Sequence, residues 1–281
     1  MNEHFMIIVP HQDDEILMTA GVIRNAVKKQ IPLEVVMATN GDYGCSDQSK
    51  GQMRLRESMR GMEILGLDTD QHYHILGYAD TGMPETDSFL SHLYESEDDR
   101  IYASACGTQT YGLPEKEEYH MQQHGTHAEY CRTGFKSDLK EIIWQKQPTR
   151  IYTTSEYDLH GDHSALYKFV CEVLAELQTE HGYEPELYIS VIHSCAGDES
   201  WPKRDTEVFD CPERLEATSS LKWNERIRIE LSQEMQVSAG EENLKRKALL
   251  QHETALEPNA VEYLLSFLKN EEIFWRVELQ D

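Results

Sequence analysis

Several things are missing from this chain, and each absence narrows what it can be. Six cysteines (Cys45, Cys106, Cys131, Cys171, Cys195 and Cys211) are scattered with no Cys-x-x-Cys pair, which argues against a thiolate zinc site and for reduced thiols over a disulfide frame. Basic residues are scarce, 26 Lys and Arg against 51 Asp and Glu, leaving a net charge of -25. Such a balance repels phosphate backbones and anionic membranes, so nucleic acid is not an expected partner. Most of this acidity reads as a solvated surface. No apolar run approaches the roughly 18 residues of a membrane span. The first apolar run is not preceded by a basic segment, so the expected location is the cytoplasm. No Gly-x-Gly-x-x-Gly follows that run, and the phosphate-cradling backbone of a dinucleotide binder is therefore missing. Internal repeats and low-complexity stretches are absent too.

Short apolar runs alternate with helical spacing along the chain. Phe5 to Val9 predicts a strand buried on both faces, and Asp14 to Lys29 a helix with Ile16, Leu17, Ala20, Ile23 and Val27 inward. Leu33 to Ala38 predicts a second strand ending on Thr39-Asn40-Gly41-Asp42, and Gly51 to Leu65 a helix closed by Gly66. His72 to Leu76 predicts a third strand, ending on Gly77-Tyr78-Ala79-Asp80. Phe135 to Trp144 and Ser164 to Leu177 predict helices, with strands at Arg150 to Thr154 and Leu187 to His193. Further on, strands are expected at Lys222 to Leu231 and Glu272 to Leu279, and helices at Glu241 to His252 and Pro258 to Leu268. Ala196 to Thr218 lacks a period. The expectation is one α/β domain with a Rossmann-like, open, mostly parallel sheet and helices on both faces. In such a sheet ligands sit beyond the carboxyl ends of the strands, so these polar loops should line one crevice. Residues 81 to 130 are an aperiodic insert whose aromatics argue against full disorder, read as a flap over the substrate pocket. Within it His120, His124 and His127 read as exposed histidines rather than a second metal site. His193 reads as a core or rim histidine outside the site.

Two stretches concentrate chemistry. Pro10-His11-Gln12-Asp13-Asp14-Glu15 follows the first strand, and Asp158-Leu159-His160-Gly161-Asp162-His163 follows the strand at Arg150 to Thr154. A lone Asp-Asp before a helix is ordinarily a cap, but the histidines and carboxylates of the second stretch turn the pair into a candidate metal site. A catalytic zinc takes three His or carboxylate ligands and keeps a fourth position for water, whose pKa it lowers from about 15.7 to about 7. His11, Asp14 and His163 make such a set. Asp13 and Asp14 diverge in a turning segment and need not do the same job, so one can bind the metal while the other faces the bound water as general base. His160 and His163 sit three apart across a Gly, so one can ligate while the other reaches a developing oxyanion or leaving group, with Asp162 to fix its tautomer.

The same residues resemble two signatures of the zinc-dependent PIG-L/LmbE-type N-acetylglucosaminyl deacetylases. His11-Gln12-Asp13-Asp14-Glu15 is similar to their His-Pro-Asp-Asp-Glu, and His160-Gly161-Asp162-His163 to their His-Pro-Asp-His, with Gln12 and Gly161 each standing where the family has Pro. Thr39-Asn40-Gly41-Asp42, Arg56-Glu57 ahead of Leu65-Gly66, Leu76-Gly77-Tyr78 with Asp80, and Lys247 with His252 fall in family order. The resemblance runs from residue 5 to about 280, thinly between 85 and 130 and between 195 and 235. It implies a metal on His11, Asp14 and His163, Asp13 as base, and His160 stabilising the tetrahedral intermediate with Asp162 behind it. Arg56, Asp80 and Asp158 are the expected substrate contacts. It implies Zn2+, with Fe2+ acceptable to the same N/O ligands, and a small N-acetylated sugar or glycoconjugate as partner. A homo-oligomer is compatible with all of this.

The implied reaction is removal of an N-acetyl group from a GlcNAc-containing molecule. Two readings compete with it: a sugar-binding protein that kept its metal and lost turnover, and an amidase of a thiol conjugate.

Overall fold

In the computed structural model, residues 3–96, 99–256 and 260–278 are described. Seven strands form one open sheet: β1 (Phe5–Val9), β2 (Leu33–Thr39), β3 (Tyr73–Tyr78), β4 (Arg150–Thr153), β5 (Glu186–Ile189), β6 (Ile227–Glu230) and β7 (Glu271–Val277). Their order is β3-β2-β1-β4-β5-β7-β6. The pairings from β3 through β5 are parallel, while β7 runs antiparallel to both its neighbours. The α/β class and mostly parallel sheet expected from the sequence are what the structure has.

Ten α-helices are described: α1 (Asp14–Lys29), α2 (Ser49–Leu65), α3 (Thr69–His72), α4 (Phe89–Tyr94), α5 (Tyr119–His124), α6 (Arg132–Lys146), α7 (Gly161–His181), α8 (Leu215–Thr218), α9 (Leu244–Leu249) and α10 (Val261–Leu265). Because side chains alternate along a strand, Phe5, Ile7 and Val9 of β1 enter one core with Ile16, Leu55 and Leu249, while Met6 and Ile8 enter a second with Leu139, Phe169 and Leu174. Helices therefore cover both faces. Acidic residues in its first turn and lysines in its last suit the dipole of α1. Gly66 closes α2 at a φ of 94°, where a residue without a Cβ is favoured.

The topology positions the site. From β1 the chain winds outward to β2 and β3, then returns to the other side of β1 for β4 and β5. The sheet therefore has its switch point between β1 and β4, and a crevice is expected at the carboxyl ends of those two strands. Register pairs Ile8 with Thr153, so the segments beginning at Pro10 and at Thr154 emerge side by side.

Several later elements are shorter than expected. The fifth strand stops at Ile189, and only Ile227–Glu230 of the expected sixth is strand, behind a 3-10 turn at Trp223–Glu225. A 3-10 stretch at Val237–Glu242, broken at Gly240, replaces the start of the helix expected from Glu241. The helix expected over Pro258 to Leu268 shrinks to α10, and its first residues, Pro258 and Asn259, lie outside the described residues, as does Leu279 of the terminal strand.

Candidate metal centre and its cleft

β1 hands over to α1 through a tight corner. Asp13 occupies the N-cap position at a φ of 123°, a conformation that costs a non-glycine residue about 1–3 kcal/mol and persists only where surrounding contacts enforce it. Those contacts are visible. The Asp13 N–H donates to Glu15 Oε2 at 2.9 Å, Glu15 Oε1 accepts from Ser58 Oγ at 2.5 Å, and Ser58 accepts from the buried Tyr73 hydroxyl at 2.9 Å. Burial pushes the Glu15 carboxyl up to about 8. Gln12, in the position of the family's Pro, is not a loose substitute. Its side chain donates to Thr39 O at 2.7 Å and ties the corner to the end of β2.

At this corner three atoms converge. His11 Nδ1 and His163 Nε2 stand 3.2 Å apart, His11 Nδ1 and Asp14 Oδ2 3.4 Å, and His163 Nε2 and Asp14 Oδ2 3.3 Å. Ligands at about 2.0–2.1 Å from a tetrahedral zinc are separated by about 3.3–3.4 Å, so this nearly equilateral triangle fits one face of such a coordination shell. The outer nitrogens of both rings face carboxylates. His11 Nε2 is 3.1 Å from Asp162 Oδ2, with Asp80 Oδ2 at 4.0 Å, and His163 Nδ1 is 3.2 Å from Asp158 Oδ2. A carboxylate behind each imidazole keeps the proton on the outer nitrogen and turns a lone pair inward, the arrangement metal-binding histidines ordinarily need. Burial works against a charge on His11, but Asp14 and Asp162 outweigh it and raise its pKa to about 10. The cluster thus favours a cation at its centre. The residues present fit a divalent ion.

Three carboxylates stand elsewhere than their expected roles require. Asp162 does not sit behind His160. Its Oδ1 accepts from Ser88 Oγ at 2.8 Å and from the Leu90 N–H at 2.7 Å, and its Oδ2 faces His11. Asp158 is buried, accepting the N–H groups of His160, Ile192 and His193 at 3.1, 2.8 and 3.1 Å. Both orient histidines, because the turn that carries them folds back beneath the rings. Asp80 is likewise buried, its backbone N–H held by Asp42 Oδ1 at 2.8 Å.

His160 caps α7. Its Nδ1 accepts the Asp162 N–H at 3.2 Å, so the ring proton lies on Nε2. Burial and the neighbouring His11, His163 and His193 hold the imidazole neutral, its pKa far below the usual value. Its ring lies 4.4 Å from that of His11 and 4.8 Å from that of His163. Gly161 explains the second departure from the family pattern. Its N–H donates to Met83 O at 2.8 Å, and a Cβ there would fall 2.7 Å from Glu85 Cα. Proline has neither the donor nor the room.

A cleft of about 540 Å³ opens beside Asp13 and Asp14. Lys50, Arg54, His193 and Asp198 form its polar wall, and Leu17, Ala260, Tyr263 and Leu264 its apolar one. Burial, then the Asp14 charge, push the Asp13 carboxyl up to about 6. Arg54 stands 3.7 Å from Asp13 Oδ2 and donates to Gln12 O at 2.9 Å. Arg56 is not in this cleft. It pairs with Glu115 at 2.6 and 2.9 Å on the surface, because residues two apart on a helix point about 200° from each other. Its neighbour Glu57 is buried and holds the Thr254 N–H and hydroxyl. His193, which the sequence places outside the site, faces the cleft with Nδ1 3.0 Å from Asp198 Oδ2 and its ring 5.3 Å from that of His163. The ring nitrogens of His252 are buried without a hydrogen-bond partner, Nε2 standing 3.5 Å from Glu15 Oε1, and burial pushes its pKa down to about 3. None of the described residues of the insert lines this cleft. Thr81, Ser104 and Cys106 of the insert border a separate cavity of about 450 Å³ that reaches Asp42 and Asp80.

No helix among the described residues is long and apolar enough to cross a membrane. No curated protein matches the chain significantly. Among solved structures, the N,N'-diacetylchitobiose deacetylase from Pyrococcus horikoshii is 14% identical with a TM-score of 0.57, over 99% of this chain and 84% of that one. The antimicrobial A40926 pseudoaglycone deacetylase is 14% identical at a TM-score of 0.59, with both chains covered in full at 100%. A zinc-inhibited teicoplanin deacetylase is 13% identical at 0.58, over 99% of each chain. These likenesses establish the fold. The family model described as PIG-L, GlcNAc-PI de-N-acetylase, matches residues 6–174, from β1 into α7, and with both motif corners inside that match, the chain belongs to the PIG-L family.

Proposed function

We propose that the protein is a metal-dependent N-deacetylase that hydrolyses the acetamide of a GlcNAc-type small molecule or glycoconjugate. The observation that carries this reading is the triangle of His11 Nδ1, Asp14 Oδ2 and His163 Nε2, with edges of 3.2 to 3.4 Å, which meets a cleft of about 540 Å³ through Asp14. A zinc or ferrous ion held there supplies Lewis acidity to water and to an amide carbonyl.

The chain's own groups do the rest. Asp13, at the cleft wall with its carboxyl raised to about 6, takes the proton of the attacking water and can pass it to the leaving amine. A base with a pKa near the working pH is the effective kind. His160, held neutral with its proton on Nε2, donates to the oxyanion of the tetrahedral intermediate, help worth about 3 kcal/mol in comparable sites. Asp162 and Asp158 keep His11 and His163 in their inward-facing tautomers. Arg54 draws Asp13 toward the cleft, and Tyr263 offers an aromatic face of the sort that packs on a sugar ring. Arg56, Asp80 and Asp158, expected as substrate contacts, are assigned here to surface pairing and to support of the histidines.

The test is acetate release over a panel of N-acetylated sugars and conjugates, run on wild type and on Asp13→Asn. The wild type should release acetate from at least one GlcNAc conjugate, and the variant should keep its metal while losing at least a hundredfold in kcat, within the range attributed to general bases. Equal rates would remove Asp13 from the reaction. Metal retention without release from any conjugate would favour the sugar-binding alternative.

A further inference from the structure

Far from the cleft, the sequence spacing of His124 and His127 proves to be the wrong pair. His127 turns to Glu118, 2.9 Å away. On α5 it is instead His120 and His124 that share a face, i and i+4, with ring centroids 4.5 Å apart. The neighbouring α6 meets them with two carboxylates one turn apart. His120 Nδ1 lies 2.7 Å from Asp138 Oδ1, and His124 Nε2 lies 2.9 Å from Glu141 Oε2. Donor atoms of His120, His124 and Asp138 all fall within 4.8 Å of one another.

We propose that His120, His124 and Asp138, with Glu141 completing the set, bind a second divalent transition-metal ion that clamps α5 to α6.

Two histidines at i and i+4 are a recurrent zinc-binding pair because they present imidazoles from one helical face. Two imidazoles with carboxylates suit zinc, copper or nickel better than magnesium or calcium, which prefer oxygen alone. Burial supplies the reason for a cation. The Asp138 side chain is 1% exposed, and its far oxygen meets only a long 3.4 Å contact from the Tyr78 hydroxyl. Desolvation consequently raises its carboxyl to about 6, and a dication at Oδ1 would relieve that cost. Access is open from the other side, where the His124 side chain is 42% and Glu141 31% exposed. A tetrahedral shell separates its donors by about 3.3 Å, against the 4.8 Å within which those of His120, His124 and Asp138 already lie. The role would be structural. α5 lies near the end of the insert, so an ion there pins the insert to α6, the helix that leads into β4.

The test uses the full-length protein, stripped with a chelator and titrated with Zn2+ by calorimetry, alongside metal analysis. His120→Ala/His124→Ala should bind one ion fewer per chain than wild type, whatever the wild-type total. His163→Ala should keep this ion, and zinc should slow proteolytic cleavage within residues 100 to 130 in His163→Ala but not once His120 and His124 are also replaced. Should the double variant fold poorly, Asp138→Asn, which keeps the shape of the side chain, should weaken the same site at least tenfold. An unchanged zinc count in the double variant and in Asp138→Asn would overturn the proposal, as would binding at this site only in the millimolar range. Loss of the ion proposed at His163 leaves this outcome untouched, so the two sites are tested separately.

Discussion

Replacing Asp162 by Asn probes the electrostatics behind the proposed metal ligands with a change of one atom. Oδ1 of Asp162 accepts two donors, Ser88 Oγ at 2.8 Å and the Leu90 N–H at 2.7 Å, while Oδ2 faces His11 Nε2 at 3.1 Å. An asparagine must choose. If its oxygen stays with Ser88 and Leu90, its NH2 points at His11 and obliges Nε2 to accept, which moves the ring proton to Nδ1, the nitrogen proposed to face the metal. Losing a carboxylate behind a metal-bound histidine typically costs 10- to 100-fold in affinity, about 1.4–2.7 kcal/mol, and a misdirected tautomer should put Asp162→Asn at the upper end. If the amide flips to preserve His11, an NH2 group meets the buried Leu90 N–H. That conflict costs about 1–3 kcal/mol of stability, about 2–6 °C in Tm for a chain of this size. Zinc affinity measured against a chromophoric chelator, together with a thermal melt of the metal-free protein, separates the two outcomes. Affinity within threefold of wild type and an unchanged Tm would refute the assignment of Asp162 to His11.

Other consequences follow from the packing. Gly161→Ala places a Cβ 2.7 Å from Glu85 Cα and 2.6 Å from Ser88 Oγ, so it should displace the segment that holds Asp162, lowering Tm by about 2–6 °C for the 1–3 kcal/mol of overpacking and weakening zinc binding. Lys245, buried against Glu272 at 3.3 Å and donating to Leu17 O at 2.8 Å, joins α9 to β7 behind α1. Lys245→Met should therefore destabilise by about 3–5 kcal/mol in urea unfolding, and adding Glu272→Leu should recover part of that loss. Burial works against the Glu34 carboxylate, but His4, His74 and Lys146 outweigh it and hold its pKa well below 4.5. Its contribution is full above pH 4.5 and fades as pH falls towards the depressed value. Glu34→Gln should accordingly lose about 2–3 kcal/mol at pH 7, with the gap to wild type closing below pH 4.5. A gap that stays constant with pH would contradict this reading.

The first half of the fold was legible because its signals agree. β1 through α2 combine continuous apolar runs, helical spacing and a Gly66 cap, and their bounds in the structure fall within a residue or two of those expected. Past Thr218 the local signals are weak: Ile227 and Ile229 alternate like a strand, but the three-residue turn at Trp223–Glu225 displaces the start of the expected element and leaves four residues as strand. The motif residues converge as their placement after two adjacent strand ends implies. What sequence could not supply was who stands behind whom. Asp162 lies two residues past His160, its nearest imidazole in the sequence, yet the fold turns it to His11 across 151 positions. Arg54 and Arg56 look equivalent in a basic stretch, and only helical phasing against Gly51, Leu55 and Ser58 separates the arginine in the cleft from the one on the surface. His193 gave no local signal beyond its place past a strand end, which is where the crevice forms.

Zinc-edge anomalous diffraction from crystals of the metal-loaded protein tests the central claim most directly. The account predicts a peak within about 2.0–2.2 Å of His11 Nδ1, Asp14 Oδ2 and His163 Nε2, with the outer nitrogens of both rings on Asp162 and Asp158. Zinc density absent from that triangle, or ligated through His11 Nε2, would contradict it.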